Sequence, residues 1–130
     1  MKLLVVDDDE IVLEALLCAL EDAGFQVVPA MTGEDAVTLA RHCAPDVVVT
    51  DLDLGAGMNG LRLAVELRRR WPGLPIVYIS GRPWLVQERA LGDREVFLAK
   101  PFRLQELLGG IRVVSTRAGF GGTAGRPSPA

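Results

Sequence analysis

Val47-Val48-Val49-Thr50 is a short apolar run that stops at a carboxylate, Asp51, and Leu52-Asp53-Leu54 then leads into a glycine-rich loop. A run of this length fits a strand buried on both faces. A buried strand that releases an acid at its C-terminal end is how open α/β proteins deliver a reactive group to a crevice. The figure recurs along the chain. Leu3 to Val6 ends in Asp7-Asp8-Asp9, Ile76 to Ile79 ends in Ser80-Gly81, and Glu95 to Ala99 ends in Lys100-Pro101-Phe102. A fifth run, Phe25 to Ala30, contains Pro29, which places it at a sheet edge.

Between these runs the apolar period lengthens to that of a helix. Val12, Ala15, Leu16, Ala19, Leu20 and Ala23 fall on one helical face, with Asp9 placed to cap the helix and Gly24 to end it. Leu13 and Leu17 form a second apolar pair at its margin, either core or a surface for a partner. Thr32-Gly33-Glu34-Asp35 opens a helix carrying Ala36, Leu39, Ala40 and Cys43, and Pro45 stops it. A third begins at Asn59 or Gly60, with Leu61, Ala64, Val65 and Leu67 as its apolar positions. Its terminal Arg68-Arg69-Arg70 reads as a solvated helix end, where the dipole favours cations. Pro83 starts a short fourth helix reaching about Leu91, and Leu104, Leu107, Leu108 and Ile111 mark the last one. Gly109-Gly110 weaken that helix.

Strand followed by helix throughout implies a doubly wound α/β fold, five parallel strands with about five helices on both faces. The chain has 130 residues, 49% hydrophobic and 24% charged, which suits one core. From about Ser115 it becomes rich in Gly, Pro, Ser and Thr. The expected organisation is therefore a domain over 1–114 and a disordered tail over 115–130. A net charge of -3 gives no basic field for nucleic acid or an anionic membrane, and no long apolar run marks a membrane span. The N-terminus has too few apolar residues for a signal peptide, so a cytoplasmic location is expected. Cys18 and Cys43 lack metal-ligand spacing and read as reduced thiols. The single His42 excludes a multi-histidine metal site.

In a parallel sheet all C-terminal strand ends lie on one edge, so Asp7, Asp8, Asp51, Ser80 and Lys100 converge there. Any one strand must end in something polar. A pair of acids, a lone acid and a lysine before proline are less easily explained in that way. Three close carboxylates need a cation, and an oxygen-only donor set selects a hard ion such as Mg²⁺. Aspartate is a competent nucleophile toward phosphorus, and a lysine and a hydroxyl would offset the charge on a phosphoryl group.

Val5-Val6-Asp7-Asp8-Asp9-Glu10, Val48-Val49-Thr50-Asp51, Tyr78-Ile79-Ser80-Gly81 and Phe97-Leu98-Ala99-Lys100-Pro101-Phe102 stand in order at the strand ends. Over roughly Lys2 to Val114 the chain resembles the receiver domains of bacterial two-component response regulators, of the single-domain, CheY-like type. The resemblance implies a flavodoxin-like strand order of 2-1-3-4-5, an order for which receivers are themselves a standard example. It implies that Asp51 is the phosphoacceptor and that Asp8, Asp51 and the backbone carbonyl of Asp53 ligate Mg²⁺ (or Mn²⁺), with Asp7 acting through water on the ion. Lys100 and Ser80 would bind the phosphoryl group. Ser80 and Phe97 would form the switch, Phe97 turning inward, and Pro101 would follow a cis peptide bond.

Two positions set this chain apart. Gly55 stands where receivers often have proline, in a loop one residue longer than usual, and the stretch from Ser80 to Lys100 is short. Asp53 and Arg82 occupy positions that flank the phosphoryl group in the family and tune its lifetime. An ion pair between them, screening the site from water, is expected. The implied partners are a sensor histidine kinase or phosphotransfer protein and an unnamed downstream protein, with no nucleic acid and no membrane. The domain would be monomeric or a weak dimer through the face of the fourth helix, fifth strand and fifth helix. It would not be an enzyme beyond its own phosphorylation and dephosphorylation. Two alternatives share the motifs. One is a receiver-like binding module that takes no phosphoryl group. The other is a haloacid-dehalogenase-like phosphatase built on Asp51-Leu52-Asp53, which turnover of a phosphate ester would reveal.

Overall fold

The computed structural model describes residues 1–82, 92 and 94–121, with side chains through residue 116. Five strands, β1 (Lys2–Val6), β2 (Gln26–Ala30), β3 (Val47–Asp51), β4 (Ile76–Ser80) and β5 (Glu95–Ala99), form one sheet. All neighbouring strands pair in parallel, in the order β2-β1-β3-β4-β5. β2 is an edge strand and carries Pro29, as its missing donor requires. β3 and β4 are buried along their whole length, the pattern of strands covered on both faces.

Four helices are described: α1 (Glu10–Asp22), α2 (Gly33–Cys43), α3 (Gly60–Arg70) and α4 (Leu104–Gly121). Asp9 caps α1 by accepting from the backbone N–H of Ile11 and Val12, Thr32 caps α2 and Asn59 caps α3. α2 and α3 cover one face, where Ala36, Ala40, Leu63 and Leu67 meet Leu4, Val48, Ile76 and Tyr78. α1 and α4 cover the other, where Leu13, Leu20, Leu107, Ile111 and Val114 meet Leu3, Val5, Val49, Val77 and Ile79. The short helix expected from Pro83 to Leu91 lies outside the described residues. No described helix is long and apolar enough to cross a membrane. Cys18 and Cys43 are free thiols and His42 stands exposed on α2.

Three expectations change. On α1 the buried positions are Leu13 and Leu20, with Leu16 packed beside them, while Ala15 is exposed. Rotating the helix toward its leucines removes more apolar area from water than burying its alanines would. On α3 the buried stripe is Gly60, Leu63, Ala64 and Leu67, and Val65 is exposed. Arg68 is no solvated helix end. Its guanidinium donates to the carbonyls of Leu74 and Arg94 and to Glu95, while Arg69 and Arg70 remain exposed. In addition, α4 continues past Val114 to Gly121, with the Ser115 hydroxyl bonded back to the carbonyl of Ile111.

Candidate functional site

The sheet register sets the site. Val6 lies beside Thr50, Asp51 beside Ile79 and Ser80 beside Ala99, so the residues after β1, β3, β4 and β5 share one edge. Asp7, Asp8 and Asp51 present carboxylate oxygens that all lie within 4.8 Å of one another. Asp7 and Asp51 are buried and Asp8 is exposed. Lys100 reaches across from β5, its Nζ 2.8 Å from Asp51 Oδ2. The other Asp51 oxygen, Oδ1, accepts the backbone N–H of Asp53 at 2.9 Å. The Lys100–Pro101 peptide bond is cis.

One lysine beside three carboxylates leaves an excess of negative charge in a partly dehydrated place. Burial is the main reason the Asp7 carboxyl is raised above its usual value of 3.8, and the Asp51 and Asp8 charges add to it. The Asp9 N–H, bonded to Asp7 Oδ1, and the Lys100 charge work the other way. For Lys100 burial favours the neutral amine, yet the hydrogen bond and charge of Asp51, then Asp7 and Asp53, leave its pKa raised. The ammonium is therefore held firmly charged. All-oxygen donors with unbalanced charge fit a hard divalent cation, and the fit rests on Asp7, Asp8 and Asp51.

Ser80 is fully buried at the end of β4, and its Oγ accepts the Arg82 N–H at 2.9 Å, which leaves its own proton to donate. Arg82 in turn forms a two-point ion pair with Asp53: Nε lies 3.2 Å from Oδ2, and Nη2 bonds Oδ1. That contact raises the Arg82 pKa further, and both side chains remain about half exposed. Phe97 lies one strand away from Tyr78 in register and packs against the α2–α3 side of the core.

The loop from Leu52 to Asn59 is held at several points. Gly55 and Gly57 take positive φ values of 71° and 91°. Gly55 passes so close to Asp8 that a Cβ there would sit 3.0 Å from Asp8 Oδ2. Met58 donates its N–H to Glu34 of α2 at 3.4 Å. Three polar residues have a joint role that their places in the sequence do not announce. Arg68, Tyr78 and Glu95 form a buried network below the site. An acid opening an otherwise apolar strand was the available signal.

The chain is thus a doubly wound α/β domain whose parallel sheet carries an acid cluster, a lysine and a hydroxyl on one edge. The response regulator receiver domain model matches residues 3–112, and the chain belongs to that family. It is 33% identical over 122 residues to the probable transcriptional regulatory protein TcrX of Mycobacterium tuberculosis, covering 92% of this chain and 51% of that one. It is 36% identical over 120 residues to the response regulator MprA of Mycobacterium sp., covering 90% and 51%. The chain thus spans about half the length of these curated relatives. Among solved structures, a response regulator receiver protein from Sinorhizobium medicae superposes with a TM-score of 0.77 at 30% identity, covering 90% and 96% of the two chains. The Vibrio cholerae chemotaxis protein CheY4 gives 0.74 at 30%, covering 86% and 97%.

Proposed function

We propose that this domain is a phosphorylation switch in which Asp51 accepts a phosphoryl group from a sensor histidine kinase or phosphotransfer protein. The observation that carries the reading is Lys100 Nζ at 2.8 Å from Asp51 Oδ2, within a cluster of three carboxylates. Receiver domains are regulatory parts of response regulators, and family membership gives this chain that general role. The particulars are inferred from the site.

A carboxylate oxygen of Asp51 attacks the phosphorus of a phosphohistidine. An O–P bond forms, the N–P bond breaks, and the imidazole leaves. Mg²⁺ (or Mn²⁺), when bound, supplies electrostatic stabilisation of the charge on the transferring group. Asp7, Asp8, Asp51 and the backbone carbonyl of Asp53 would hold it. Lys100 exchanges part of its contact with Asp51 for a phosphoryl oxygen, and Ser80 donates its free proton to another. Movement of Ser80 makes room for Phe97 to turn inward, biasing two pre-existing states. The face to which β5 and α4 contribute reads out the change by binding a downstream protein, or by weak pairing with a second copy. The Asp53–Arg82 ion pair would limit access of water to the acceptor. Partnership with a sensor kinase implies the cytoplasm.

The test is a mass measurement after incubation with acetyl phosphate and Mg²⁺. One added phosphoryl group is expected, absent in Asp51→Ala and absent with EDTA. No labelling of the wild type by acetyl phosphate or by a phosphorylated kinase would mean an inert binding module.

A further inference from the structure

Glu95 opens β5 and is only 5% exposed, so its carboxylate needs partners. It has several. Tyr78 donates its hydroxyl to Glu95 Oε2 at 2.7 Å, Arg68 Nη1 donates to the same oxygen at 3.0 Å, and the Gly92 N–H donates to Oε1 at 3.0 Å. Arg68 also donates to the carbonyl of Leu74 at 2.8 and 3.1 Å and to that of Arg94 at 3.2 Å. The network ties the last turn of α3, the turn before β4 and the entry to β5 together.

Arg68, Glu95 and the backbone would be enough for that fastening. The tyrosine adds a link toward the site. Side chains alternate along a strand, so Ile76, Tyr78 and Ser80 share one face of β4. The register sets Ile76 beside Glu95, Tyr78 beside Phe97 and Ser80 beside Ala99. Ser80 therefore stands at the site end of a row and Glu95 at the far end, with Tyr78 and Phe97 side by side between them. Tyr78 is fully buried, and Phe97 packs against the cluster that contains it. The hydroxyl is bonded toward the Glu95 end. That bond holds the ring toward the Glu95 end of the row and away from Ser80.

We infer that Tyr78 is a positioning residue for the switch: anchored by Glu95 and Arg68, its ring sets the balance between the outward and inward positions of Phe97. The inference rests on the reading of Phe97 as the moving aromatic. Without the hydroxyl the ring relaxes toward Ser80 and crowds the inward position. The inward population falls about five-fold, the factor that one hydrogen bond's net contribution sets.

The chain has four phenylalanines, so fluorophenylalanine labelling gives a simple ¹⁹F spectrum, with Phe97 assigned by its loss in Phe97→Leu. The exchange contribution to the Phe97 linewidth is measured without any phosphoryl donor in wild type and Tyr78→Phe. It is expected to fall about five-fold with the minor population. The rate of labelling by acetyl phosphate should fall by a like factor, and Tyr78→Phe should have no effect on that rate in the Phe97→Leu background. Arg68→Lys, which keeps a charge near Glu95 but gives up the fork, should act in the same sense. Exchange and labelling rate unchanged in Tyr78→Phe, with only a lower melting temperature, would refute the role of Tyr78 alone and leave a structural clasp. A wild-type domain with no exchange at Phe97 would refute the switch reading and this inference together.

Discussion

Gly60 is where the fold and the acceptor constrain each other most tightly. It opens α3, and its N–H donates to the carbonyl of Leu52 at 3.0 Å. A methyl group there would press into the carbonyl oxygen of Asp51 and lie 2.9 Å from Leu52 Cα. Both obstacles are backbone, so no rotamer change relieves them. Overpacking of this kind costs about 1–3 kcal/mol, and rigid neighbours put Gly60→Ala near the upper end. Better helix propensity returns less than about 1 kcal/mol at a first-turn position. The net loss is about 2 kcal/mol, or roughly 8 °C in melting temperature for a domain of this size. Circular dichroism melts would read it, with Gly109→Ala as the control. A Cβ at Gly109 meets no atom of the described residues within 4 Å, so that variant should gain about 1 kcal/mol and melt roughly 4 °C higher. Because the clash falls on the acceptor's own backbone, Gly60→Ala should also slow acetyl phosphate labelling. If Gly60→Ala melts with the wild type and labels at its rate, α3 is free to shift off β3 and the argument fails.

Other expectations concern the cation, the pH and the lifetime. Mg²⁺ at a hundredfold excess over its Kd should stabilise the wild type by about 2.7 kcal/mol in thermal melts, an effect removed by EDTA. Gly55→Ala and Gly57→Ala place an L-residue at positive φ alike, but only the first meets the Asp8 carboxylate, whereas the second meets Glu34. Similar melting losses with weaker Mg²⁺ binding in Gly55→Ala alone are expected; equal Mg²⁺ affinity would show that the loop leaves Asp8 undisturbed. With metal chelated, Asp7 has a folded-state pKa raised above 3.8, so the folded state holds the proton more tightly. Its contribution to stability is full below 3.8 and is lost as pH rises through the raised value, whereas Asp7→Asn should lack that loss; parallel stability-pH curves for the two proteins would contradict it. Arg82→Ala should shorten the phosphoryl lifetime several-fold by opening the site to water, measured by loss of the mass label; an unchanged lifetime would remove the pair's screening role.

The strand ends could be read in the sequence because a parallel sheet turns a local pattern into a global one. Each apolar run announces its own stop, and topology brings the stops together. The strand order could not be read that way and needed the family. Helix faces were read less well. The periodicity on α1 puts Ala15 on the core face and leaves Leu13 at its margin, whereas burial rewards the larger side chain and rotates the helix toward Leu13. The triple arginine shows the same limit. Three identical neighbours carry no sign of which one faces inward, and only the packing of α3 over the entry to β5 selects Arg68.

The two ends of β4 divide the work of this domain. At the Ser80 end, charge is in excess among the described residues: three carboxylates stand beside one lysine, and the Ser80 hydroxyl accepts from Arg82 with its own proton able to donate. At the end where β5 begins, Glu95 is surrounded by a phenol, a guanidinium and a backbone N–H. On the proposed reading, unmet electrostatic demand at one end would make it sensitive to a cation and a phosphoryl group, and saturation at the other would make it a fixed reference. Tyr78 stands between the two, bonded to the fixed end and bordering the residue that would move. If Asp51 is the acceptor and Phe97 the moving aromatic, a change at Asp51 would be resolved as motion of Phe97 against a ring that does not follow, which is the mechanical requirement for a local chemical event to reshape a distant surface.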